Sequence, residues 1–386
     1  MSACREQARL TNHNRRDGRY AVALFTDDST APHRRGGLKG WIVLGVALVA
    51  GIALGVVPSP YVIEQPGPVF NTLGTAPNAD DVETPLIHIE GEPVYPTKGS
   101  LDLLTVSLFG NQESRPSWLA VAGAWLDPSK AVLPVDQVFP VGITSEQRDT
   151  QNQAAMVNSQ QDAIAAALTH LEYDYPTTVT VVGLPDDSPA TGLLAAGDVV
   201  TSIDDTPIRS ISGLRAALQT AGTDAPVLVG LTRDGTAASK SVTPVLSDGS
   251  VVLGIGVTTN YVFPFTVELE LDRVGGPSAG MMFALGIIDK LTPGELQGGA
   301  SVAGTGTIDQ AGTVGPIGGI QQKLYGAKDA GVDWFLAPAE NCDEVTGHIP
   351  NGLTVFSVET LDDALAALDV VRTGGDAGSV PTCPTK

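Results

Sequence analysis

A serine and a lysine 45 positions apart carry the reactive chemistry legible in this chain. Ser278 lies in the run Gly275-Gly276-Pro277-Ser278-Ala279-Gly280, and Lys323 closes the run Gly318-Gly319-Ile320-Gln321-Gln322-Lys323. A serine hydroxyl is a weak nucleophile at neutral pH and needs a base beside it. An amine serves as that base when burial disfavours its charged form and brings its pKa from about 10.4 toward about 7 or 8. The two segments therefore predict a Ser-Lys pair working in acyl transfer. Gly275, Gly276 and Gly280 let the backbone pass close to a substrate carbonyl, and amides of a turn at a helix N-terminus face the oxyanion that develops. Pro277 has no N–H, which leaves the Ser278 amide as the expected donor.

Rival chemistries lack their signatures. There is no CxxC or HExxH spacing, so no metal is expected. No serine is followed by lysine three places on, which removes the penicillin-binding type of Ser/Lys enzyme. A GxxxxGK[ST] phosphate loop is absent as well, so neither ATP nor another cofactor is expected.

The elements that must hold the pair read as α/β, of the α+β kind. Over 259–371 the pattern predicts a strand at 265–271, the Gly-Pro-Ser turn, an apolar helix at 279–291 and a glycine-punctuated β-ribbon at 300–317. A helix at 319–330, strands at 334–337 and 353–358, and a helix at 361–370 complete this unit. Residues 61–171 read as a mixed α/β N-terminal segment. It ends in a helix at 146–171 whose Ala154, Ala155, Val157, Ala163, Ile164, Ala167 and Leu168 recur at helical spacing as core positions. The tail 372–386 is expected to be flexible apart from any tether at Cys383.

From 172 to 258 the texture changes to short β-rich runs: Ser188-Pro189-Ala190, then Gly197-Asp198-Val199-Val200, a helix near 211–220, and a strand at 227–233 ending in Asp234-Gly235. This order resembles a PDZ domain of the bacterial, circularly permuted kind. PDZ domains bind extended peptides by adding a strand to a sheet edge. The resemblance implies that the edge here is Thr178, Val179, Thr180 and Val181, running on to Val182. No GLGF-like loop precedes it; Tyr175-Pro176-Thr177 stands in that place.

The 259–371 unit is more specific. Its Asp272-Arg273-Val274-Gly275-Gly276-Pro277-Ser278-Ala279-Gly280, Val302-Ala303-Gly304-Thr305-Gly306 and Val314 to Lys323, continued through Ala327 to Gly331, resemble the Lon serine protease domain in four ordered motifs. The resemblance implies that Ser278 is the nucleophile and Lys323 the general base, with Thr305 holding the lysine amine. Gly276, Pro277 and Gly280 would shape the turn. The acidic residue usual in that family just before Gly-Pro-Ser is replaced here by Gly275.

Charge and hydropathy set the context. The chain carries a net charge of -21, yet residues 1–40 hold eight Lys/Arg against four Asp/Glu. A body so acidic repels phosphate backbones, so nucleic-acid binding is not expected. Between the two regimes, 38–57 is apolar except for Lys39 and has about the 20 residues that a bilayer span requires. We expect a single-pass anchor at 38–58, a basic cytoplasmic tail at 1–37, and everything after residue 61 outside the cell membrane. Cys4 then falls inside, while Cys342 and Cys383 share the oxidising side, either bonded to each other or as free thiols. One anchor, a PDZ module and a Lon-like domain resemble the membrane-anchored PDZ-Lon proteases. This implies an ATP-independent serine endopeptidase acting on exported or membrane-associated polypeptides, with homo-oligomers as a further implication. The alternative from another class is a non-catalytic peptide-binding scaffold at the cell surface.

Overall fold

The computed structural model describes residues 38–78, 82–140, 142, 144–185, 187–247, 249–271 and 274–385. The basic segment 1–37, with Cys4, and Asp272 lie outside them. A six-stranded sheet carries the candidate site. Its strands run in the order Thr354–Val358, Trp334–Pro338, Ser301–Gly304, Ser100–Phe109, Tyr61–Asn71, Ala131–Pro134. The first four are mutually parallel, and each of the last two joins antiparallel to its neighbour.

Side chains alternate across this sheet, as a period of two requires. Leu101, Leu103, Val302, Leu336 and Phe356 pack on one face with the helices Ser145–His170, Gly280–Leu291 and Leu361–Thr373. Leu104, Ala303, Phe335, Ala337 and Val355 pack on the other against Ile320–Asp329. The result is a helix–sheet–helix sandwich with apolar contacts on both faces, the arrangement that buries parallel strands. Residues 61–171 supply three of its six strands and its 26-residue helix, so they share one core with 271–371.

The 26-residue helix begins at a capping box. Thr144 Oγ1 accepts from Gln147 N–H at 3.1 Å, and the Gln147 side chain accepts from Thr144 N–H at 2.9 Å. Its buried face differs from the expected one in the first half. Ala163, Ile164, Ala167 and Leu168 are core, but Ala154 and Val157 are exposed and Ala155 is half-buried, whereas Met156 and Ser159 are buried. The inward face of that half borders a polar cleft, where apolar spacing is a poor guide to burial.

A second sheet has the order Thr236–Val242, Val227–Arg233, Val199–Ile203, Thr177–Gly183, Gly256–Tyr261. Its core includes Val179, Val200, Ile203, Leu231 and, from the helix Ile211–Ala221, Leu214 and Leu218. Here the expected peptide edge is corrected. Thr178, Val179, Thr180 and Val181 pair with Asn260, Thr259, Thr258 and Val257 on one side, and Val179 and Thr180 pair with Val200 and Thr180's partner Val199 on the other. The strand is interior to the sheet, with Gly256–Tyr261 paired on one side and Val199–Ile203 on the other.

Two further expectations change. The tail is held, not free: Ala377–Ser379 forms a 3-10 turn, Ser357 N–H donates to Pro381 C=O at 3.0 Å, and Cys383 N–H donates to Val355 C=O at 3.0 Å. The open edge of Thr354–Val358 offers those partners, and the tail takes them. The expected span at 38–58 contains the helix Leu38–Val56. Among the described residues no helix is long and apolar enough to cross a membrane. Its 19 residues give about 28 Å, just short of a bilayer core, and it stops ahead of Pro58. Trp41, Ile42, Leu44 and Leu48 on it are all more than half exposed.

Candidate active site

The two faces of the first sheet meet where Ser301–Gly304 ends. Ser278 comes from one face, two residues ahead of the helix Gly280–Leu291, and Lys323 from the other, one turn into Ile320–Asp329. Thr305 stands between them, directly after the strand. Lys323 Nζ lies 2.9 Å from Ser278 Oγ and 2.8 Å from Thr305 Oγ1. The Thr305 hydroxyl donates to the Ser278 carbonyl at 3.0 Å, so its oxygen is left to accept from the amine. A neutral amine held by that one N–H has its lone pair available for the Ser278 proton. Ser278, Thr305 and Lys323 are thus brought together, with Gly276, Pro277 and Gly280 in the same turn.

The lysine is 2% exposed. Burial pulls its amine down to about 7, against a smaller opposing effect of the Glu64 carboxylate. The hydrogen-bond partners of Nζ are the two hydroxyls. Glu64 enters from the strand Tyr61–Asn71, and its own pKa is raised by burial and partly brought back by Lys323 and Arg148. Met281 and Met282 sit fully buried in the core adjoining the site and help to keep it dry.

Local sequence explains this convergence. Gly319 caps the lysine helix with φ at +69°, and a Cβ there would come within 2.8 Å of Val106 Cγ1 and 3.0 Å of Glu64 Oε1, so only glycine brings the helix this close to the sheet. Gly276 has φ at +92°, which lets the chain reverse before Pro277. The turn is tied from both sides: Gly276 N–H donates to Asn152 C=O at 2.9 Å, Ser159 Oγ to Pro277 C=O at 2.8 Å, and Gly306 N–H to Ser278 C=O at 2.9 Å. In front lies a cleft of about 1170 Å³ bordered by Glu64, Arg148, Asn152, Gly275, Ser278 and Lys323, among others. It has room for several residues of an extended chain.

Thr178, Val179, Thr180 and Val181 lie in the other sheet and are not part of this site. Cys342 and Cys383 are joined, with an S–S distance of 2.00 Å, beside the core under the lysine helix. Among the described residues no group of His, Cys, Asp and Glu could hold a metal ion. Sequence reasoning missed Glu64, Asn152 and Ser159. Glu64 is the lone acid at the start of an apolar strand, and Ser159 falls at i+3 and i-4 from buried Met156 and Ala163, signals that a count of inward-facing polar residues would have raised.

Residues 273–370 match the Lon protease (S16) C-terminal proteolytic domain, and residues 142–243 match a PDZ domain. Lon protease 1 of Sorangium cellulosum is 39% identical over 94 residues, 24% of this chain and 11% of that protein. Lon protease 2 of Herpetosiphon aurantiacus is 40% identical over 93 residues, 23% of this chain and 11% of that protein. The chain therefore spans about a tenth of the length of the curated relatives it matches. Among solved structures, the PDZ domain of the SdrC-like protein from Listeria innocua is 23% identical and covers 21% of this chain and 92% of that one, with a TM-score of 0.20. A solution structure from Geobacillus thermodenitrificans is 23% identical, covers 20% of this chain and 94% of that one, and has a TM-score of 0.19. The chain carries a Lon-type proteolytic domain, the domain of a serine peptidase, together with a PDZ domain.

Proposed function

We propose that this chain is an ATP-independent, membrane-anchored serine endopeptidase in which Ser278 is the nucleophile and Lys323 the general base. One observation carries the reading: a buried amine with a pKa near 7 stands 2.9 Å from the serine hydroxyl at the edge of a cleft. Ser278 Oγ attacks the scissile carbonyl while Lys323 takes its proton. The ammonium then protonates the leaving amine as the C–N bond breaks, and water, deprotonated by the same lysine, releases the acyl group as a carboxylate. Thr305 keeps the amine aimed through both steps.

The remaining parts of the reading rest on different supports. ATP independence rests on the lack of any phosphate loop in these 386 residues. Anchoring rests on the exposed apolar surface of Leu38–Val56 beside a basic segment, and an extracytoplasmic catalytic side on the disulfide, which persists in oxidising compartments. Exported or membrane-associated polypeptides are the substrates such a location offers. The PDZ module selects or positions them by a surface other than the filled ladder of Thr177–Gly183, and the Lon-like resemblance carries homo-oligomers with it. The test uses the full chain in detergent micelles with fluorescent casein. Ser278→Ala and Lys323→Ala are each expected to abolish cleavage, and activity surviving either change overturns the assignment.

A further inference from the structure

The amide expected to stabilise the oxyanion belongs to the peptide unit between Pro277 and Ser278. That unit is planar and trans, so its C=O and N–H point in opposite directions. Its carbonyl oxygen accepts from Ser159 Oγ at 2.8 Å. Ser159 is 4% exposed and stands behind the turn, while Pro277 and Ser278 border the cleft. Pinning the carbonyl to the buried side therefore turns the Ser278 N–H toward the open side, where a substrate carbonyl would arrive.

We propose that Ser159 is a positioning residue that sets the oxyanion-binding amide of Ser278; this rests on the endopeptidase reading above. Three further contacts fix the same geometry. The peptide unit two back, Gly275–Gly276, is held by Gly276 N–H to Asn152 C=O at 2.9 Å, from the same helix as Ser159. The unit after Pro277–Ser278 is held by Gly306 N–H at 2.9 Å and Thr305 Oγ1 at 3.0 Å on the Ser278 carbonyl. Gly280 leaves space for the approach, since a Cβ there would come within 2.9 Å of Ser159 Oγ. A hydrogen bond to the carbonyl also polarises the amide and strengthens its N–H as a donor. Such a donor accelerates reaction only if it is already aimed when charge develops, because reorientation during the reaction would cost the advantage. The helix is itself tied further along, where Asp162 accepts from Tyr261 O–H at 2.7 Å on the strand that leaves the second sheet.

The test compares Ser159→Ala and Ser159→Cys with the wild-type full chain in detergent micelles. Turnover of fluorescent casein and the inhibition constant of a peptide aldehyde, whose hemiacetal oxygen occupies the oxyanion position, are measured per active site titrated with a fluorophosphonate. Ser159→Ala is expected to lower kcat about 10- to 100-fold with KM within about twofold, and to weaken the aldehyde by a similar factor. Ser159→Cys, with its weaker donor, falls about threefold to tenfold in both and keeps the test open if the alanine variant fails to fold. The acid limb of the pH profile stays where Lys323 puts it. Unchanged kcat and aldehyde affinity in a folded variant overturn the proposal, and so does a fall in kcat with the aldehyde affinity intact. Casein cleavage surviving Ser278→Ala overturns the endopeptidase reading instead, which separates the two failures.

Discussion

Two buried charges in this chain meet opposite fates. In the second sheet, Asp198 is 1% exposed and accepts from Arg233 at 2.6 and 2.7 Å and from Ala195 N–H at 2.8 Å. Its carboxylate is held below the usual range, first by the Arg233 hydrogen bond. In the first sheet, Lys323 is equally buried but faces two hydroxyls, and desolvation wins. A carboxylate so paired stays charged through the physiological range and ties one strand to the next. An amine so poised changes charge near neutrality, as a general base must. Burial alone does not keep a group charged or neutral; whether a counter-charge is bonded to it decides the direction.

That contrast can be broken from either side. Lys323→Met removes the base and is expected to cost at least about 10³-fold in kcat/KM. The same change has a stability sign that the comparison fixes. Because the folded-state pKa lies below the ordinary 10.5, the unfolded chain binds the extra proton between about 7 and 10.5, and the penalty of burying Lys323 is full below 7 and fades as pH rises through that window. The upper bound on that penalty is about 5 kcal/mol. Lys323→Met should therefore raise the melting temperature at pH 6 and gain progressively less by pH 10, measured by thermal unfolding. Asp198→Asn should do the reverse: it loosens the second sheet by about 1–3 kcal/mol at neutral pH, while cleavage of a short peptide is unaffected. Thr305→Val removes the hydroxyl that aims the amine, and a fall in kcat of about 10- to 100-fold with little change in KM is expected in steady-state assays. The smallest effect belongs to Glu64→Gln. Glu64 favours the charged form of Lys323, so removing its charge should move the acid limb of kcat/KM to lower pH.

The Ser278–Lys323 contact was legible because its parts are local motifs: a glycine turn before an apolar helix, and a lysine one turn into another. The helices Gly280–Leu291 and Ile320–Asp329 and the strand Thr354–Val358 fall within a residue or so of the expected bounds, since each has a strong period or a glycine at its start. What escaped is long-range. That Tyr61–Asn71 and Ser100–Phe109 join the same sheet as Ser301–Gly304 follows from pairing, which no local pattern records. The edge beside Thr177–Gly183 is filled by Gly256–Tyr261, a linker whose alternation looks like that of any exposed strand. Asn152 acts through its backbone carbonyl, which leaves no trace in side-chain type, and Ser159 sits in the polar run Asn158-Ser159-Gln160-Gln161.

The central claim is that a neutral Lys323 activates Ser278. It is tested most directly by the pH dependence of fluorophosphonate labelling of Ser278 in the full chain, followed by mass spectrometry of the modified peptide. The account predicts a labelling rate that rises with deprotonation of one group to half its maximum near pH 7, and its collapse at every pH in Lys323→Met. A rate that is flat from about pH 5 to 9, or that rises only at the pH of an ordinary lysine near 10.4, contradicts it.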